Sequence, residues 1–136
     1  MKKLFFIPLF LLISTLLFAQ KNYKVVFDVT SRDTVDHKLA IRWASEVLKA
    51  EPTAQVEIVL FGQSLAMINK EKSVVADAIT KFSMNKNATI SVCKVAMKVH
   101  NIEPSQLVPG VQIVADGIYE IISKQRQGWG YIKVSH

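Results

Sequence analysis

The stretch TISVCKVAMKVHNIEPSQLVPGVQIVADG, residues Thr89 to Gly117, reads as strand, helix, turn and strand in succession. Thr89-Ile90-Ser91-Val92 is a β-branched run of strand type, and Cys93 closes it. Lys94-Val95-Ala96-Met97-Lys98-Val99 opens a helical run that reaches about Asn101, and Glu103-Pro104 breaks the chain. Leu107-Val108-Pro109-Gly110 then turns it into a second apolar run, residues 111–115. Cys93 is the only cysteine in the chain. At a strand-to-helix turn its thiol faces the unpaired N–H groups of the helix start and the positive end of the helix dipole. Such a setting favours the thiolate, the reactive form.

The same alternation continues outward on both sides. Residues 23–29, YKVVFDV, form a strand-length β-branched and aromatic run. A helix starts near Thr34, capped by Asp33 and with Asp36 in its first turn. Leu39, Ala40, Trp43, Ala44, Val47 and Leu48 give it one apolar stripe, and Glu51-Pro52 ends it. Residues 55–61 are the second strand, its last four residues apolar, as in a strand covered on both faces. Leu65-Ala66-Met67-Ile68 reads as a helical turn over the sheet edge or as an exposed interface patch. Residues 71–85 read as a helix. After Asp116-Gly117 comes a helix with Ile118, Ile121 and Ile122 inward and Gly128 as the glycine beyond its end. Residues 129–134 are the fifth strand. Five strands alternating with helices predict an α/β fold, a three-layer α/β/α sandwich around a five-stranded parallel sheet, flavodoxin-like in general architecture.

The start of the 136-residue chain stands apart. Lys2 and Lys3 precede an apolar run from Leu4 to Phe18. Ala19 and polar Gln20 follow, the layout of a cleaved secretory signal. Fifteen apolar residues fall short of the roughly 20 that span a bilayer. Residues 1–19 are therefore expected to be removed, leaving residues 20–136 as one domain without stable membrane insertion, in the periplasm or secreted. Loss of Lys2 and Lys3 lowers the net charge of +6 by two. The remaining basic residues are scattered and not interleaved with aromatics, which argues against nucleic acid as a partner. A lone thiol in an oxidising compartment is buried and inert, chemically employed, or paired between chains.

In open parallel sheets, ligands bind beyond the carboxyl ends of the strands. Those ends are Thr30-Ser31, Gly62-Gln63, Cys93-Lys94 and Asp116-Gly117. Cys93 is the candidate reactive residue. Gly62, Gln63, Lys94, Pro109 and Gly110 are the candidate ligand-binding residues. A hydrolytic cysteine needs a histidine within hydrogen-bond reach. His100 lies about 10 Å further along a helix, nothing in the spacing links His37 to the thiol, and His136, the last residue, is expected to be mobile. Without a second cysteine or two histidines at ligand spacing, no metal site is expected. The first strand-to-helix turn has no glycine, and the chain has neither G-x-G-x-x-G nor G-x-x-x-x-G-K, so no nucleotide cofactor is expected.

Val92-Cys93-Lys94-Val95-Ala96-Met97 at a strand end, Leu107-Val108-Pro109-Gly110-Val111, then Val114-Ala115-Asp116-Gly117-Ile118-Tyr119-Glu120-Ile121, and Q-x-x-G-W-x-Y from Gln125 to Tyr131 together resemble the DsrE/DsrF-like family. The resemblance spans residues 23–134. It implies a compact α/β/α fold, homotrimers or homohexamers and, in some members, a cysteine that carries sulfur as a persulfide, matched here by Cys93. A sulfur donor or acceptor protein is implied with it. Similar exported members often have Thr where this chain has Ala96 and His where it has Phe61. The resemblance therefore implies either sulfur handling through Cys93, as carrier or transferase, or an oligomeric small-ligand-binding protein in which Cys93 is structural.

Overall fold

The computed structural model describes residues 22–136; the expected signal segment lies outside them. Five strands form one sheet: β1 (Lys24–Val29), β2 (Gln55–Leu60), β3 (Ala88–Cys93), β4 (Val111–Val114) and β5 (Gly130–Lys133). All four pairings are parallel, in the order β4-β3-β2-β1-β5. The helices are α1 (Thr34–Ala50), α2 (Ala76–Phe82), α3 (Lys94–Val99) and α4 (Gly117–Arg126).

The strand order, with the hand of the crossovers, fixes where the helices lie. Parallel connections are right-handed. The steps β1 to β2, β2 to β3 and β3 to β4 all run the same way across the sheet, so α1, α2 and α3 share one face. The step from β4 to β5 runs back across the sheet and puts α4 on the other face, the one helix there among the described residues, against β1, β2 and β3. The expected three-layer sandwich is thus present, with unequal outer layers.

The two faces differ in chemistry. Under α1 and α2 lie Phe27, Val29, Ile58, Leu60, Ile90 and Val92, all fully buried. Under α4 the strands present Val26 and Val59, which pack with Ile121, alongside polar Glu57 and Ser91. Ser91 Oγ donates to Glu57 Oε1 at 2.6 Å, and the Lys124 ammonium of α4 stands 2.9 Å from Glu57 Oε2. Lys124 also lies 4.5 Å from the Trp129 ring centre, a cation–π contact. This buried ion pair fixes where α4 sits on an otherwise small apolar face.

Several local expectations change. Of the two readings of Leu65 to Ile68 the helical turn is present, a 3-10 turn Ser64–Ile68 whose Leu65, Met67 and Ile68 belong to the core; the segment is not a surface patch. Of the three isoleucines expected inward on α4, only Ile121 is buried, and Ile118 and Ile122 face solvent. The helix expected over residues 71–85 is confined to Ala76–Phe82. Asn69 accepts the Glu71 N–H and Ser73 accepts the Val75 N–H. Such side-chain turns compete with helical hydrogen bonds. His136 is not free: its Nδ1 donates to Asp36 Oδ1 at 2.9 Å.

Candidate functional site

The handedness of the crossovers also locates the site. The chain leaves β3 toward one face, through α3, and leaves β4 toward the other, through α4. A crevice opens where neighbouring strands part in this way. Cys93 ends β3 directly beside Val114 of β4, so the cysteine stands at that switch point.

Cys93 caps α3, and the Ala96 N–H donates to its Sγ at 3.5 Å. The residue is 5% exposed. It lines a cleft of about 270 Å3 together with Phe61, Gly62 and Gln63 from the end of β2, His100 beyond α3 and Asp116 before α4. Val95, Ala96, Val99 and Ile118 complete mostly apolar walls. Gly117 is required by this crowding. A Cβ there would lie 3.1 Å from Phe61 Cβ and 3.2 Å from Cys93 Cβ, tighter than ordinary van der Waals contact.

His100 is the residue the sequence did not reveal. A straight helix would carry it away from the thiol, but α3 ends after two turns. The Asn101 N–H bonds the Lys98 carbonyl and the Ile102 N–H bonds the Met97 carbonyl, with Asn101 at φ 53°. This is a Schellman closure with asparagine in the left-handed position. The His100 ring reaches back over the β2 loop, and its Nε2 donates to the Gly62 carbonyl at 2.6 Å. The histidine thus shares the cleft with Cys93, yet its hydrogen bond holds the loop. Asp116 is likewise engaged, accepting the Tyr119 N–H at 2.9 Å. Gln63 accepts from Arg32 Nη2 at 3.1 Å.

The other candidate residues separate. Gly62 and Gln63 stand beside Cys93. Lys94 does not, and lines a different cleft with Met97, Lys98 and Ile113. Pro109 and Gly110 lie before the amino end of β4, at the opposite end of the sheet from Cys93. Gly110 has φ +94° and packs so closely on α2's end that a Cβ would meet Ser83 Cβ at 2.5 Å; its role is packing. His37 is buried, with Nε2 2.9 Å from the Ser31 carbonyl.

A model of the DsrE/DsrF-like family matches residues 24–134. No curated protein shows significant similarity to the chain. Among solved structures, the fold is similar to that of a protein of unknown function from Methanobacterium thermoautotrophicum, with TM-score 0.76, 20% identity and 82% of this chain and 98% of that one covered. The ychN protein from E. coli is similar at TM-score 0.67 and 14% identity, covering 82% and 98%. A conserved protein of unknown function from Bacteroides thetaiotaomicron is similar at TM-score 0.58 and 19% identity, covering 83% and 96%. At these identities the likeness is one of fold.

Proposed function

We propose that this chain, which belongs to the DsrE/DsrF-like family, carries sulfane sulfur on Cys93. The family is associated with sulfur relay in general. The observation that carries the reading is the position of Cys93 at the sheet's switch point, in a cleft with apolar walls. In the transfer, the Cys93 thiolate attacks the outer sulfur of a persulfide donor R–S–SH. The donor's S–S bond breaks and its electron pair leaves on the thiolate RS−, while a new S–S bond leaves Cys93 as a persulfide. No external base enters that step, which suits a site whose histidine is bound to a backbone carbonyl. Polysulfide treatment is expected to add sulfur to the native protein, reductant to remove it, and Cys93→Ser to abolish the gain. No gain in the native protein refutes the reading. It would favour a second one, an oligomeric small-ligand-binding protein with Cys93 structural, which draws support from the burial of the thiol.

Two further features belong to this reading. The first is self-association as a trimer or hexamer. Its support is a set of exposed apolar residues that line the cleft, Val95, Val99 and Ile118. The second is export, supported by Lys2, Lys3, the apolar run to Phe18 and Ala19. Amino-terminal sequencing of the mature protein is expected to start near Gln20. Full-length chain in washed membranes would refute it.

A further inference from the structure

A second cleft, of about 430 Å3, adjoins the Cys93 cleft and shares Phe61 and Ile118 with it. Its polar end is built by β1 and β5. Asp28, 7% exposed, accepts the Tyr131 hydroxyl at Oδ2 (2.5 Å) and the Lys133 ammonium at Oδ1 (3.0 Å). Lys133 also donates to Thr30 Oγ1 at 2.5 Å. Its apolar side is formed by Ile118, Ile121 and Ile122 of α4, and Gln125 stands beside them.

The charges in this cluster are unequally accessible. Both Asp28 oxygens are taken, and its side chain is 10% exposed against 42% for Lys133. Hydrogen bonding to Asp28 pushes the Tyr131 hydroxyl up to about 12, so that ring stays neutral. An ammonium has three N–H donors, and Asp28 and Thr30 use two. What a ligand meets is therefore one cationic donor at the end of an apolar cleft that adjoins the Cys93 cleft at Phe61 and Ile118.

We propose, resting on the sulfur-carrier reading, that this second cleft holds the body of the sulfur donor, and that the donor is a small peptide-like thiol persulfide whose carboxylate binds Lys133. The spacing sets its size. The backbones of Cys93 on β3 and Lys133 on β5 are three strand separations apart across the sheet, about 14 Å, and the Lys133 side chain covers part of that, bringing its ammonium to 5.9 Å from the Phe61 ring centre. What remains for the donor is the length of roughly two to three extended residues. The isoleucines cover the stem, and the Gln125 amide can donate to or accept from a peptide group.

The test measures the rate of Cys93 persulfide formation from two donors, glutathione persulfide, a tripeptide with free carboxylates, and inorganic polysulfide. For Lys133→Met, the ratio of the two rates is expected to fall about tenfold, the size of one hydrogen bond to a charged group. Lys133→Arg should retain most of the ratio. An unchanged ratio in Lys133→Met overturns the proposal, as does equal loading of the native protein by glutathione persulfide and by its carboxyl ester. If Lys133→Met does not fold, Gln125→Ala, which leaves the Asp28 cluster intact, must lower the same ratio. If neither donor loads the native protein, the carrier reading has failed. The cleft is then judged by calorimetric titration of reduced glutathione into Cys93→Ser protein. Binding that Lys133→Met weakens supports the subsite, and no binding overturns it.

Discussion

At the scale of single residues, the site is shaped by close approach. Gly117 lets the start of α4 pass against Phe61 and Cys93, and a methyl group there would press on both side chains. Gly117→Ala is expected to destabilise the protein by about 1–3 kcal/mol, the usual cost of overpacking, and to slow modification of Cys93. A thermal midpoint equal to that of the native protein would contradict this. Cys93 as a candidate was legible from the sequence, because strand and helix runs meet at it. His100 was not. Its return to the cleft depends on the left-handed turn at Asn101, and residue spacing along a regular helix carries no sign of that closure. Lys94 adjoins Cys93 in sequence but belongs to another cleft, since neighbours on a helix point in different directions.

At the scale of elements, two polar links hold parts of the chain that packing leaves loose. One is Lys124 to Glu57 beneath α4. Burial lowers the lysine's pKa, but the hydrogen bond and charge of Glu57, with Glu120 adding, outweigh it and leave it raised. Lys124→Met leaves Glu57 buried without its cation and is expected to cost about 3 kcal/mol. The double substitution with Glu57→Gln should recover part of that loss in denaturant titrations. A fully additive loss would contradict the coupling. The other link is His136 to Asp36 at the start of α1. The hydrogen bond and charge of Asp36 raise His136, and Asp33 adds to this. Burial pushes Asp36 up, but its bonds to His136 and Ser31 and the histidine's charge leave it lowered. A raised histidine stabilises fully below its unfolded value, near 6.5, and loses that contribution as pH rises through its folded value. A lowered aspartate stabilises fully above its unfolded value, near 3.9, and loses that as pH falls through its folded value. The link is therefore strongest between about pH 4 and about pH 6.5. Melting temperatures should fall above that window, and His136→Ala should remove this part of the fall. Identical profiles would contradict it.

At the scale of the whole molecule, the alternation of β-branched runs with helical runs makes the parallel sheet legible in the sequence. The order of its strands is not revealed by pattern alone, and the unequal outer layers follow from that order and the right hand of the crossovers. Apolar content left one place open and misled in another. Leu65 to Ile68 read equally as a helical turn or a surface patch, and Leu65, Met67 and Ile68 of the turn fill the core, while Ile118 and Ile122 look like core but face solvent. A short apolar run has no periodicity that tells which side it packs on. The exposed residues that line the cleft now carry the expectation of self-association. Val99→Lys, placed in that patch, is expected to shift the protein toward monomer in light scattering, with its fold intact by circular dichroism. A native protein that is monomeric at micromolar concentration would contradict it.

The central claim is that Cys93 holds sulfur. Its most direct measurement is intact-mass analysis of protein purified without reductant from the cells that make it. The account predicts a species heavier by one sulfur atom, mapped to Cys93 and removed by reductant. A single unmodified mass, unchanged after exposure to polysulfide, would contradict it.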